Sequence, residues 1–328
     1  MKKITLEEAY AVPGLAKHTP QVNSLPEFEL CRERLEDLGE LRINAMDEAG
    51  IDLQVVSPTT PGTQGVVDPT TETTLAREWN EYVANAIEPN KKRLRAFATL
   101  PTRYPDEMSK ELTRAVKELG MVGAMLNGYD NAGGNEEIYY DAPQYFDFWK
   151  TASDLDVPVY IHPRVVPPNR VTTYKPYPEL GGAAWGFHVE TGEHILRLIM
   201  SGLYDKLPNL KIAIGHMGEF LPFWCWRMDH RFELEDRRRH IAEAGRPLKL
   251  TMTEYVKKLY ITTSGYFNTA ALHYALATMP KDHIMFSVDY PYENNLEGAA
   301  WLEGLELDGE LKEAIAYKNA ERLLKITI

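Results

Sequence analysis

Eight short apolar, β-branched runs alternate with segments of helical periodicity along the 328 residues, and this alternation predicts an α/β fold, a (β/α)8 TIM-type barrel with long rim loops. Two further observations favour a barrel over a pair of doubly wound domains. Most of the runs are continuously apolar, as strands of a parallel sheet covered by helices must be. No glycine-rich dinucleotide-binding turn follows the first run. Barrels of this kind use about 250 residues or more, so residues 1–328 are read as one domain.

The expected strands are 3–6, 52–57, 94–99, 122–126, 157–161, 210–215, 259–263 and 284–288. Helical periodicity marks 34–49, 73–87, 106–119, 145–155, 192–204 and 220–235. Two insertions, 9–30 and 163–187, are long and rich in proline, glycine and aromatic residues. They read either as a wall or lid over the rim or as subunit contacts.

Composition narrows the function classes. A net charge of −12 argues against nucleic acid as a partner, because phosphate recognition needs a basic footprint. Cys31 and Cys225 are too few for a disulfide framework or a thiolate metal site. The start, Met-Lys-Lys-Ile-Thr-Leu-Glu-Glu, puts acids where a signal peptide would be apolar, and no apolar stretch is long enough to span a membrane. The expectation is a cytoplasmic protein without membrane contact.

Four of the runs end beside residues that can bind a metal or move a proton: Glu7, His162, His216 and Asp289. In a barrel the strand ends converge on one rim, so the four are expected to form one metal site with an acid beside it. Singly, each has a plainer explanation. A lone histidine at a strand end is more often structural, and an isolated aspartate there usually caps the next helix. Pro291 and Glu293 separate Asp289 from the next helical segment, which weakens the capping reading. Glu7 is costly to bury without a partner. His216 and Glu219 stand three apart and share a face if a helical turn begins at once, which would let the carboxylate orient the imidazole for acid–base work. Otherwise Glu219 is a cap. Arg227, near Asp229-His230-Arg231, lies either on a solvated face or binds an anion in this site or a neighbouring subunit's. Trp185, Phe187, Tyr290 and Tyr292 suit stacking on a benzene ring or plain packing.

With Leu6-Glu7-Glu8-Ala9, Tyr160-Ile161-His162-Pro163-Arg164, Val189-Glu190-Thr191-Gly192, Gly215-His216-Met217-Gly218-Glu219, Thr262-Thr263-Ser264-Gly265 and Asp289-Tyr290-Pro291, the chain resembles the decarboxylase branch of the amidohydrolase superfamily. That group contains γ-resorcylate, 2,3-dihydroxybenzoate, 5-carboxyvanillate and aminocarboxymuconate-semialdehyde decarboxylases. The resemblance implies Glu7, His162 and Asp289 as ligands of one divalent metal, His216, Glu219 and Asp289 as catalytic groups, and no organic cofactor. Arg227 and Tyr292 are the candidates for substrate binding. Ala9 stands where some members carry a further metal-binding histidine, and the His-x-His pair of the hydrolytic relatives is missing. Two carboxylates and an imidazole suit Mn²⁺ or Mg²⁺, while Zn²⁺ accepts both ligand types.

The implied activity is cofactor-free, reversible decarboxylation of a small aromatic carboxylate, an ortho-hydroxybenzoate such as 2,3- or 2,6-dihydroxybenzoate. Such a carboxy-lyase of aromatic catabolism is expected as a homodimer or homotetramer. Two rivals stand beside it: a metal-dependent hydrolase of a lactone, amide or related carboxylate, and a catalytically silent barrel.

Overall fold

The computed structural model describes residues 1–24, 26–131, 137–234 and 248–328. Its strands are β1 (Ile4–Tyr10), β2 (Leu53–Pro58), β3 (Leu94–Ala96), β4 (Ala124–Asn127), β5 (Val159–His162), β6 (Ile212–Ile214), β7 (Tyr260–Thr262) and β8 (Ile284–Met285). All pair in parallel, as β1–β2–β3 and β4–β5–β6–β7–β8. Backbone bonds from Val122 N to Ala96 O (3.1 Å), Ala98 N to Gly123 O (2.9 Å) and Met125 N to Ala98 O (2.9 Å) join the two sheets between β3 and β4.

The opposite seam, between β8 and β1, has no ladder among the described residues and is clasped by side chains. Ser287 Oγ accepts from Leu6 N at 2.9 Å and Glu7 N at 2.8 Å. The Glu8 carboxylate accepts from Ser287 Oγ (2.9 Å), Val288 N (3.1 Å) and Tyr290 N (2.9 Å). A register shift in β1 between Thr5 and Glu8 makes this clasp geometrically accessible, since a bulge re-aims the side chains beside it. Ala9 N completes the seam on Tyr290 O at 2.7 Å.

Side chains alternate between two apolar layers with the strand period of two. Ile4, Leu6, Leu53, Val55, Met125, Tyr160, Ala213 and Met285 pack inside the barrel. Val56, Leu126, Ile161, Ile214, Ile261 and Ile284 face the helices. The barrel is therefore filled, and chemistry is confined to its rim.

Several expected boundaries move. The helix expected at 34–49 is two, Pro26–Glu36 and Glu40–Ala49, because Asp37 Oδ1 accepts from Gly39 N and Arg42 N, both at 3.0 Å, and turns the chain between them. The segment 192–204 becomes Gly186–Met200 and Leu203–Lys206, parted at Gly202 with φ +76°. β1 runs four residues past the expected end, so Glu7 lies within it. The insertion 163–187 folds into single turns at Val171–Tyr174 and Pro178–Gly181 before Gly186–Met200 begins. Residue 25 in the first insertion and the expected helix end at 235 lie outside the described residues.

Candidate active site

Glu7, His162 and Asp289 converge with ligand-capable atoms all within 4.8 Å of one another. Glu7 comes from the bulged part of β1, His162 is the last residue of β5, and Asp289 follows β8 in a left-handed conformation with φ +74°. Gly215 packs so close to Glu7 that a Cβ there would lie 2.5 Å from Glu7 Oε2. Only glycine leaves room for that carboxylate.

Glu7 is 1% exposed and its two oxygens are treated differently. Oε2 accepts from the Tyr160 hydroxyl and from Thr262 Oγ1 at 3.3 Å. Oε1 has no hydrogen-bond partner. It stands 3.4 Å from His162 Nε2 and 4.0 Å from His216 Nε2, while Asp289 Oδ2 is 3.8 Å from His216 Nε2. Ligands about 2.1 Å from a common ion are separated by about 3.0 Å at right angles or about 3.4 Å at tetrahedral angles. The orphaned oxygen and the 3.4 Å between the candidate ligands Glu7 and His162 fit a divalent cation better than a direct hydrogen bond. Burial lowers the pKa of His162, which favours the neutral imidazole a metal requires.

His216 stands beside this group. The expected helical turn at 216–219 is not there: His216, Met217, Glu219 and Phe220 all have positive φ, between +49° and +64°, and the helix Leu221–Leu234 starts after them. The pairing survives by another route, because the left-handed turns bring Glu219 Oε1 to 2.7 Å from His216 Nδ1. Non-glycine residues hold such conformations at a cost, which is a feature of functional loops. Burial alone would depress the His216 pKa, but the carboxylates of Glu219, Glu7 and Asp289 outweigh it and hold it well above the usual value. Burial pushes Asp289 up to about 8 against the pull of His216, with Glu7 adding to the rise. For Glu219 burial is overcome by His216 and His188, and its pKa is about 2.

Tyr292 lies at the edge of the group, its hydroxyl 2.5 Å from Thr59 Oγ1, so the two bridge the ends of β8 and β2. Arg227 is not brought in. On its helix Leu221 and Cys225 face inward, one turn apart, and Arg227 is exposed with Phe223, Trp224 and Trp226. Tyr290 is buried under the Arg42 guanidinium, 4.9 Å from the ring centroid, which is packing and not a substrate face.

Two functional residues escape sequence reasoning. Glu8 looks interchangeable with Glu7, and only the β1 register shows that it clasps the backbone on both sides of Asp289. His188 sits at the start of Gly186–Met200 and bonds Glu219 across 31 residues, a separation that no periodicity reports. A cleft of about 760 Å³ between Phe146–Leu155 and Gly186–Met200 shares no residue with this site.

A family model described as amidohydrolase matches residues 27–326. A γ-resorcylate decarboxylase of Polaromonas sp. is 38% identical over 327 residues, covering 99% of this chain and 98% of the relative. A solved 2,6-dihydroxybenzoate decarboxylase in complex with 2,6-dihydroxybenzoate superposes with a TM-score of 0.91 at 36% identity, covering 99% of this chain and 100% of that one. A dihydroxybenzoic acid decarboxylase from Polaromonas sp., solved with manganese and the inhibitor 2-nitroresorcinol, gives 0.91 at 38% identity, covering 99% and 97%. The chain belongs to the amidohydrolase family, in its branch of metal-dependent non-oxidative decarboxylases.

Proposed function

We propose that the protein decarboxylates 2,6-dihydroxybenzoate with a bound divalent metal, manganese by preference, and no organic cofactor. The observation that carries this reading is the unpartnered Glu7 Oε1 facing His162, His216 and Asp289 on one rim. Glu7, His162 and Asp289 would hold the ion. Such an ion would supply a positive centre that favours the ionised form of the substrate.

The chain's own groups move the proton. Asp289 Oδ2 takes the phenolic proton as the substrate seats, an assignment supported by its place on the rim 3.8 Å from His216 Nε2. It then delivers that proton to the ring carbon bearing the carboxylate, and the phenolate electrons that form a ring ketone drive the transfer. The carbon–carboxylate bond breaks next, its electron pair restores the aromatic ring and the phenolate, and CO2 leaves. His216, held by Glu219, faces the second hydroxyl through Nε2 and stabilises the negative charge as it develops. Thr59 and Tyr292, bonded to each other, would border the site beside Asp289.

The exposed face of Leu221–Leu234 bears Phe223, Trp224 and Trp226, each more than half exposed, and supports a homo-oligomer in which copies meet there. Arg227 belongs to that contact, where a guanidinium can serve a neighbouring copy's site. Among the described residues no helix is long and apolar enough to cross a membrane, and we assign the protein to the cytoplasm.

The test is CO2 release from 2,6-dihydroxybenzoate against a panel of hydroxybenzoates, lactones and amides, with elemental analysis of the same preparation. Activity should disappear on exhaustive chelation and return with Mn²⁺. Full turnover in a metal-free preparation, or hydrolysis of the lactones in place of CO2 release, would sink the proposal.

A further inference from the structure

The carboxylate that holds His216 is shared. Glu219 Oε1 lies 2.7 Å from His216 Nδ1, and Oε2 lies 2.5 Å from His188 Nδ1. His188 comes from the third position of Gly186–Met200, immediately after the insertion 163–187, whereas Glu219 and His216 come from the turn after β6. The His188 ring meets His216 edge-on, 5.3 Å between centroids, and meets Phe220 at 5.0 Å. Phe220 in turn packs on Trp185 at 5.6 Å. An aromatic chain thus fixes His188 from the loop side.

These three groups could be taken for a second metal site, since their ligand atoms also lie within 4.8 Å of one another. The contacts argue against it. Separations of 2.5 and 2.7 Å are those of charge-assisted hydrogen bonds, shorter than the separation of about 3.0 Å or more that two ligands keep around one ion.

A carboxylate bonded through one oxygen turns readily about its terminal torsion, which has no sharp rotamer wells. Two donors on opposite oxygens remove that freedom. An ionised carboxylate only accepts, so both imidazoles present Nδ1–H to it, and Nε2 of His216 is left facing Glu7 Oε1 and Asp289 Oδ2. The direction of Nε2 therefore depends on the plane of the Glu219 carboxylate, and that plane depends on His188.

We propose that His188 is a positioning residue: by occupying Glu219 Oε2 it reserves Oε1 for His216 and aims Nε2 of His216 at the reacting atoms. This rests on the decarboxylase reading above for its kinetic consequence, but the aiming is measurable without turnover.

The experiment compares His188→Phe, which keeps a ring and loses the donor, with His188→Asn, which keeps an N–H donor near the place of Nδ1. Steady-state kinetics with 2,6-dihydroxybenzoate are paired with ¹H–¹⁵N spectra of the His216 imidazole in substrate-free protein loaded with diamagnetic Mg²⁺ or Zn²⁺. For His188→Phe, kcat should fall about 10–100-fold with KM within about 3-fold, the usual size for a lost supporting hydrogen bond. The His216 Nδ1 proton should shift or broaden in the same variant. His188→Asn should restore both readouts to within about 3-fold and to the wild-type position. An unmoved His216 resonance in His188→Phe overturns the proposal, as does a rise in KM at constant kcat, which would make His188 a substrate contact. Should His188→Phe fold poorly, His188→Ala against His188→Asn makes the same comparison. If the wild type releases no CO2 from any hydroxybenzoate, the reaction assignment fails, and the His216 resonance still decides the role of His188.

Discussion

Two clusters of buried charge sit at the C-terminal ends of the strands, and they are wired in opposite ways. Beyond β3 and β4, Arg103 Nε donates to Asp130 Oδ1 at 2.9 Å and its Nη2 to the Val66 carbonyl at 2.6 Å. Thr102 ties in the second acid, its backbone N bonding Glu72 Oε1 at 2.7 Å while its Oγ1 reaches Asp130 Oδ2 at 2.6 Å. Glu72 Oε2 and Arg103 Nη1 make no hydrogen bond, but Arg103 Nε stands 3.6 Å from Glu72 Oε2 and 2.9 Å from Asp130 Oδ1, so the charges pair with one another away from water. At the ends of β1, β5, β6 and β8 the equivalent groups stand 3.4 to 4.0 Å apart, with one glutamate oxygen bonded to nothing and the mouth partly exposed. A cluster whose acids share a central cation holds the fold. One that leaves lone pairs aimed at a common point is built for something the chain does not carry.

Breaking the open cluster should cost activity and spare the fold. Asp289→Asn is expected to lower kcat on 2,6-dihydroxybenzoate about 10²–10⁴-fold, the range for losing a positioned acid–base group. The melting temperature of the metal-free protein should hold or rise, because a carboxylate pressed by burial and by Glu7 is removed. Activity lost in step with folded protein would erase the distinction between the clusters.

Breaking the closed cluster should do the reverse. Arg103→Met leaves Glu72 and Asp130 buried without their cation, a loss of about 3–5 kcal/mol. Urea denaturation reads the loss, and kcat per folded molecule should stay at the wild-type level. A change below about 1 kcal/mol would show that the cluster does not hold the fold.

The open side of this contrast is legible in the sequence, and the closed side is not. The eight apolar runs named the strands, because a strand buried on both faces cannot hide its composition, and strand ends converge in a barrel whatever their boundaries. Glu7, His162, His216 and Asp289 were therefore found together even though the extent of β1 and β8 was misjudged. The His216–Glu219 contact was expected from a helical turn and is delivered by left-handed ones, so the pair was right and its cause wrong. Arg227 is not brought to this chain's own site, because residue 227 falls on the outward face of the helix that begins at Leu221. Glu8 and His188 were invisible because a bulge and a 31-residue contact set their roles, and neither leaves a period in the sequence.

Glu190 sharpens the rule from a third position. Neither of its oxygens has a hydrogen-bond partner and it is 1% exposed, as Glu7 is, but among the described residues it belongs to no group of converging metal-ligand atoms. It meets burial by keeping a proton: desolvation pushes its pKa up to about 8 against the pull of Arg164. The unfolded chain releases that proton near the ordinary carboxyl value, so the native state binds more protons between there and about pH 8. Stability contributed by this group therefore falls as pH rises through that window. Glu190→Gln should narrow the drop in stability between pH 6 and pH 9 by about 2 kcal/mol and leave stability near pH 4 almost unchanged. Parallel curves for the two proteins would mean that the carboxyl is ionised and has found a partner.

The smallest effect is expected at the border of the open cluster. Tyr292 and Thr59 share one hydrogen bond across the ends of β8 and β2, beside Asp289 but not bonded to it. Burial raises the phenol's pKa, so it stays protonated and takes no part in moving protons at neutral pH. Tyr292→Phe removes the bond and keeps the ring, a net change of about 1 kcal/mol. Because that contact is present with or without charge developing on the ring, the change should appear as a rise of about 5-fold in KM at constant kcat. A fall in kcat at constant KM would move Tyr292 from the wall into the reacting group, and the boundary between the open cluster and its frame would then lie one residue further out along the loop after β8.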